Sequence, residues 1–145
     1  MAKILIVEDN ALNIKLFCDL LAAHGHEPRA VSDGREALDA ARGFMPDLVI
    51  TDIQLPHVSG MELMEQIRAD ETLKHVPIMA VTAYAAAGDD ERIRAAGAQA
   101  YVSKPISVVR FAETVQQLLD DAANETSGAE TGAARANPGP GPSPV

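Results

Sequence analysis

Short apolar runs alternate with longer amphipathic stretches along this chain. Lys3–Val7 (KILIV), Leu48–Thr51 and Ile78–Thr82 are apolar almost throughout, without the alternation of a half-exposed strand. Runs of this kind read as strands covered on both faces. Pro28–Val31 and Ala100–Ser103 complete the set of predicted strands. Between them the period changes. Over Ala11–Ala23, Leu12, Leu16, Phe17, Leu20 and Leu21 recur at helical spacing, and Gly25 is a stop signal. Asp33 with Glu36, and Ser59 with Glu62, have the N-cap and capping-box spacing that opens a helix. The helix after Asp33 is predicted to end near Gly43, and the helix after Ser59 carries Leu63, Met64 and Ile67. A fourth helix is predicted over about Asp89–Ala96, before Gly97. A fifth covers about Ser107–Ala122, with Phe111, Val115, Leu118 and Leu119 on one face.

Helix thus follows strand five times over. Parallel strands joined by right-handed crossovers give an α/β fold: a doubly wound five-stranded parallel sheet with five helices, a three-layer α/β/α sandwich. The pattern stops near Asn124. Residues 124–145 (NETSGAETGAARANPGPGPSPV) carry no apolar periodicity and end in alternating Pro, Gly and Ser. Such a segment cannot bury enough surface to offset chain entropy, so a disordered tail is expected after a folded domain of residues 2–123.

In doubly wound folds a site forms outside the carboxyl ends of the strands. Glu8-Asp9 follow the first predicted strand, Asp52 ends the third, Thr82 ends the fourth and Lys104-Pro105 follow the fifth. Three carboxylates, a hydroxyl and an ammonium group therefore converge on one edge. Each alone has an ordinary explanation: a solvated turn with helix N-terminal charge for Glu8-Asp9, strand propensity for Thr82, surface placement for Lys104. Together they make a chemistry. Crowded carboxylates repel unless a cation joins them, and carboxylate oxygens with a phosphate are the ligands Mg²⁺ takes. Lys104 would meet a phosphoryl oxygen and Thr82 would donate to it, which makes Asp52 the candidate nucleophile of a phosphorylation site.

Composition narrows the alternatives. Of 145 residues 47% are hydrophobic but only 3% aromatic, so the core must be built from aliphatic side chains. The net charge of -9 argues against direct nucleic-acid binding and against anionic lipid surfaces. No apolar run is long enough for membrane insertion. The N-terminus runs directly into a strand-like segment, so no signal peptide is expected. The one cysteine, Cys18, cannot form an internal disulfide and reads as a small core residue. A cytoplasmic location suits both observations. His24, His26, His57 and His75 have no metal-ligand spacing and read as surface or turn residues.

The motifs ILIVEDN, PDLVITDIQLPHVSG, PIMAVTAYA and AYVSKPI, in this order and spacing, resemble the receiver domain of two-component response regulators from about Ala2 to Ala123. EDNALNIKLF and SKPISVVRF are similar to its single-domain cell-division and polarity regulators. The resemblance implies strand order 2-1-3-4-5. It makes Asp52 the phosphoacceptor, with Mg²⁺ held by Glu8, Asp9, Asp52 and the backbone carbonyl of Gln54. Thr82 matches the switch hydroxyl, Lys104 the phosphoryl-binding lysine and Tyr101 the aromatic switch. The Lys104–Pro105 bond is expected to be cis. Gln54 and Tyr84 occupy positions that tune dephosphorylation; both are bulky, so a long-lived phosphoryl group is expected. The implied partners are sensor histidine kinases and phosphatases, with Leu12, Asn13 and Leu16 of the first helix as docking residues. Downstream regulatory proteins would bind the face made by the fourth helix, fifth strand and fifth helix. Recruitment to a cell pole by membrane kinases is a further implication. The protein would act on no substrate beyond its own aspartyl phosphate.

Rival readings lack residues. A haloacid-dehalogenase-type phosphatase wants a second aspartate two residues after the nucleophile, where this chain has Gln54. A nucleotide or flavin binder wants a Gly- or Ser/Thr-rich loop after a strand, and VEDNALN is not one. A pseudo-receiver, a binding module that is never phosphorylated, usually loses an acidic, Thr or Lys position; all are kept here.

Overall fold

The computed structural model of the protein describes residues 2–83 and 89–131. The elements alternate without exception: β1 (Lys3–Val7), α1 (Ala11–Ala23), β2 (Glu27–Val31), α2 (Gly34–Phe44), β3 (Leu48–Asp52), α3 (Gly60–Ala69), β4 (Ile78–Thr82), α4 (Asp89–Ala96), β5 (Ala100–Ser103) and α5 (Val108–Thr131). All strands pair in parallel in the order β2-β1-β3-β4-β5. The order reverses between β1 and β3. Their register sets Val7 against Thr51, so Glu8 and Asp52 emerge side by side at the carboxyl edge.

Each sheet face has its own core. On one, Leu5, Val7, Val49, Ile78 and Ala80 pack under α2, α3 and α4 through Ala37, Phe44, Leu63, Ile67 and Ile93. On the other, Ile4, Ile6, Leu48, Ile50, Met79 and Val81 pack under α1 and α5 through Phe17, Leu21, Phe111 and Val115. Phe17 and Phe111 stack with ring centroids 5.0 Å apart. Alternate residues of one strand thus serve opposite cores, which is why β1, β3 and β4 read as unbroken apolar runs. Each large side chain so buried contributes about 1.5–3 kcal/mol. Cys18 packs half-buried against the second core, and burial pushes its thiol above the usual range. His24, His57 and His75 are exposed and His26 is half-buried.

The predicted caps are present, and they fix where the helices begin. Asp33 accepts from the Arg35 amide at 2.9 Å, and Ser59 and Glu62 form a reciprocal capping box. Element ends shift slightly. β2 begins at Glu27, a residue earlier than predicted; as an outer strand, half-exposed along its length, it has room for Pro28. β3 includes Asp52, because Asp52 itself pairs in register with Val81. α2 passes Gly43 to Phe44 and turns off at Met45, whose φ of 52° and ψ of 64° are left-handed. The larger difference is α5. Its predicted end near Ala122 is passed, and the helix runs to Thr131. Residues 124–131 contain no proline to stop it, whereas prolines crowd the chain from Pro138. Of the segment expected to be a disordered tail, residues 132–145 lie outside the described residues. No helix among the described residues is long and apolar enough to cross a membrane.

One polar junction ties α2 to the end of α3. Asp70 accepts from the Thr72 hydroxyl at 2.7 Å, the Thr72 amide at 2.9 Å and Arg42 Nε at 2.7 Å. The Thr72 hydroxyl and the Arg42 guanidinium, with the Thr72 amide, hold its carboxyl down to about 2. A carboxylate whose folded pKa is depressed adds stability above its ordinary value near 4, and that contribution fades as pH falls from about 4 to about 2. Asp70→Asn should therefore lower the melting temperature at neutral pH. The gap to wild type should close by about pH 2, which thermal unfolding followed by circular dichroism across that range will check.

Candidate functional site

The site is assembled by chain geometry. Glu8 follows β1, and its amide still donates to Val31 across β2 at 3.1 Å. The Glu8 side chain is buried, with 1% of its surface exposed, and its Oε2 accepts from the Asn10 amide at 3.1 Å. Asn10 in turn caps α1 by accepting from the Asn13 amide at 3.0 Å. The polar end of β1 is therefore rigid: one carboxylate is locked by the turn that starts the next helix. Asp9, between these two, is exposed.

Asp52 ends β3 with 5% of its surface exposed. Its Oδ1 accepts from the Gln54 amide at 2.9 Å and its Oδ2 from Lys104 Nζ at 2.7 Å. Lys104 comes off β5, where its amide donates to the Thr82 carbonyl at 2.7 Å, and its ammonium also stands 3.3 Å from Glu8 Oε1. One ammonium thus spans two buried carboxylates. The Lys104–Pro105 bond is cis. Thr82 is buried at the end of β4, in register with Ser103.

The electrostatics follow from burial. Desolvation pushes the Glu8 carboxyl above the usual carboxylate range; the Asn10 amide opposes this and the charge on Asp52 adds to it. Burial alone would lower Lys104. The hydrogen bond from Lys104 to Asp52 and the charges of Asp52 and Glu8 outweigh it and raise the ammonium above its ordinary value. Lys104 is therefore a fixed cation at neutral pH. Glu8 Oε1 is buried without a hydrogen bond of good geometry, and the Lys104 ion pair is its contact among the described residues. One oxygen from each of Glu8, Asp9 and Asp52 lies within 4.8 Å of the others. An all-oxygen group of this size, with a buried atom short of a partner, could hold a hard divalent cation.

Not every predicted residue stands in this cluster. Gln54 meets it through its backbone, bonded to Asp52, while the residue itself is exposed in the loop after β3. Tyr101 lies in β5, half-buried against the core under α2–α4 rather than beside Asp52. Tyr84 lies outside the described residues. Leu12 and Leu16 lie exposed on α1, 79% and 36% of their surface open, while Asn13 is half-buried. One positioning residue escaped the sequence reading. Gly60 opens α3, donating its amide to the Ile53 carbonyl at 2.9 Å. A Cβ there would collide with the Asp52 carbonyl oxygen and stand 2.7 Å from Ile53 Cα. Backbone cannot give way as a side chain can, so only glycine lets α3 start directly against the carbonyl of Asp52. The signal available in sequence was a glycine just after the N-cap Ser59.

A protein-family model, described as the response regulator receiver domain, matches residues 4–126. The polar-differentiation response regulator DivK of Brucella ovis is 56% identical over 119 residues, which cover 82% of this chain and 97% of that protein. Among solved structures, the receiver domain of a sensor histidine kinase from Pseudomonas aeruginosa PAO1, with a magnesium ion coordinated in its active-site cleft, is similar with a TM-score of 0.76. It is 33% identical, over 82% of this chain and 98% of that one. The chemotaxis protein CheY4 of Vibrio cholerae is similar with a TM-score of 0.77 and 29% identity, over 81% of this chain and 98% of that one.

Proposed function

Because the chain belongs to the response regulator receiver family, we propose that Asp52 takes a phosphoryl group from a kinase phosphohistidine and that the added charge resets a surface on which other proteins dock. The observation that supports this most directly is Lys104 spanning the buried carboxylates of Asp52 and Glu8, beside exposed Asp9. Homology to polarity regulators of the DivK type makes control of cell polarity or division the setting for that switch.

In the proposed step a carboxylate oxygen of Asp52 forms a bond to phosphorus while the P–N bond to the histidine breaks, and the imidazole leaves with the electron pair. Such transfers need alignment and charge stabilisation more than covalent help. The Gln54 amide fixes one Asp52 oxygen and Lys104 the other, which together hold the carboxylate in one orientation. Lys104, paired with that second oxygen before transfer, moves to a phosphoryl oxygen as it arrives. Thr82 donates its hydroxyl to the same group. Glu8, Asp9, Asp52 and the Gln54 carbonyl would hold Mg²⁺, a reading that the hard-oxygen donor set and the unsatisfied Glu8 Oε1 support. When bound, Mg²⁺ supplies charge neutralisation at the phosphoryl oxygens.

The aspartyl phosphate carries about -2 charge. Drawing Thr82 toward it vacates space at the end of β4, into which Tyr101 turns from β5. That movement biases the face made by α4, β5 and α5 between two arrangements. A change from about 1% to about 99% active needs the phosphoryl group to favour one arrangement by about 5.5 kcal/mol. Kinases and phosphatases would dock on α1, where Leu12 presents an exposed apolar contact near the site. Gln54, with Tyr84, would obstruct the hydrolytic water and leave dephosphorylation to those partners. The reading puts the protein in the cytoplasm, as a receiver domain that turns over nothing but its own phosphate.

The test is intact mass after incubation with Mg²⁺ and a small-molecule phosphodonor. The protein should gain one phosphoryl group, and a chelator should prevent it. No gain under either condition would replace this reading with that of an unphosphorylated binding module.

A further inference from the structure

A concavity of about 450 Å³ lies over β5, between α4 and the first turns of α5. Its lining includes Arg94, Tyr101, Ser103 and Arg110, and among the described residues no carboxylate. In a chain with 21 acidic and 12 basic residues, a hollow whose described lining holds two arginines and no acid is a local inversion of charge. Both arginines line it, and among the described residues neither guanidinium is used up. Arg94 donates from Nη1 to the Gln99 carbonyl at 2.7 Å, which parks it at the entry to β5 with its remaining donors available. Arg110 is exposed, and no described residue pairs with its guanidinium. Its backbone is fixed: the amide donates to Ser107 Oγ at 3.3 Å, and the carbonyl accepts from Thr114 Oγ1 at 2.7 Å.

Two arginines on anchored backbones, facing one polar hollow, are suited to carboxylates, which the guanidinium fork binds through paired hydrogen bonds. We propose that this concavity docks an acidic segment of a partner protein, with an Asp or Glu side chain held by Arg94 and Arg110. The aliphatic parts of Ala100 and Pro105 supply the apolar floor that gives such a segment more than charge to bind. A nucleic-acid backbone, the other polyanion available in a cell, meets a net charge of -9 over the rest of the molecule. A short acidic segment carries far fewer charges than a nucleic-acid backbone and meets less of that repulsion. Half-buried Tyr101 is one wall of the hollow, so its inward turn on phosphorylation reshapes the acid site; this coupling rests on the receiver reading above, whereas acid recognition itself does not.

The experiment titrates the full ¹⁵N-labelled chain with a short synthetic peptide alternating Glu and Ser, and with versions carrying Gln or Lys for Glu. The Glu peptide should shift the amides of Tyr101, Val102, Ser103 and Arg110. The Gln version should bind about tenfold more weakly, the loss of one charge-assisted hydrogen bond pair. The Arg94→Glu/Arg110→Glu double variant should prefer the Lys peptide, and it should still take up one phosphoryl group on Asp52. That control separates the two readings: normal uptake with no peptide preference sinks acid docking alone, while absent uptake in wild type sinks the receiver chemistry. Equal response to the Glu and Gln peptides, or shifts confined to other surfaces, would overturn the proposal. So would a self-associated protein whose concavity amides shift on dilution, because the occupant would then be a second copy.

Discussion

Asp52→Asn is expected to abolish phosphoryl uptake while leaving the fold intact. Asparagine matches the shape of aspartate and can still accept from the Gln54 amide, the contact that Asp52 Oδ1 makes at 2.9 Å. What it lacks is the anionic oxygen now paired with Lys104 at 2.7 Å. Without that charge no nucleophile remains on β3, and Lys104 is left with Glu8 alone. Intact mass with Mg²⁺ and a small phosphodonor should therefore show a gain in wild type and none in the variant. Circular dichroism should show the same helix content in both. Uptake by the variant would move the acceptor to Asp9 or Glu8 and overturn the assignment. The asymmetry between these carboxylates makes the outcome decisive: Glu8 is buried with its pKa raised, Asp9 is exposed, and Asp52 holds the shorter contact with Lys104, at 2.7 Å against 3.3 Å for Glu8.

Lys104→Gln should separate metal binding from phosphoryl transfer. The ammonium neutralises two buried carboxylates and so competes with any cation that would use them. Removing it should raise Mg²⁺ affinity several-fold, measured by calorimetric titration. Phosphoryl uptake should nevertheless slow about a hundredfold, the usual cost of losing one pre-placed donor to a developing anion. A purely structural lysine would give a different signature: destabilisation, with Mg²⁺ affinity unchanged or weakened. Uptake at the wild-type rate would remove Lys104 from the mechanism.

The strand pattern was legible because β1, β3 and β4 feed two cores at once. That requirement leaves no polar position along them until the carboxyl edge, where Glu8 and Asp52 stand out against it. The caps at Asp33 and Ser59 were legible for a local reason, since their hydrogen bonds close within three residues. The end of α5 was not. Residues 124–131 are weakly patterned, and the absence of a proline stop is a poorer signal than its presence. Nor was the role of Gly60, whose constraint comes from the Asp52 carbonyl and so depends on how the β3–α3 loop folds back. The two arginines of the β5 concavity are sixteen residues apart in sequence, and only the parallel pairing of β5 with β4 brings their helices to one hollow.

Proline at position 28 has a bearing on how this sheet behaves among many copies of itself. Glu27 donates its amide inward to the Ala2 carbonyl at 2.8 Å, so strand alternation turns the nitrogens of residues 28 and 30 outward. The first of these carries no hydrogen. A neighbouring chain approaching the β2 edge finds a gap in the ladder where a donor should be, flanked by exposed Glu27 and Arg29. Growth of the sheet by edge-to-edge addition is thereby discouraged on the β2 side. The residue that blurs the strand in the sequence is also the one that denies a crowding neighbour a donor at that edge.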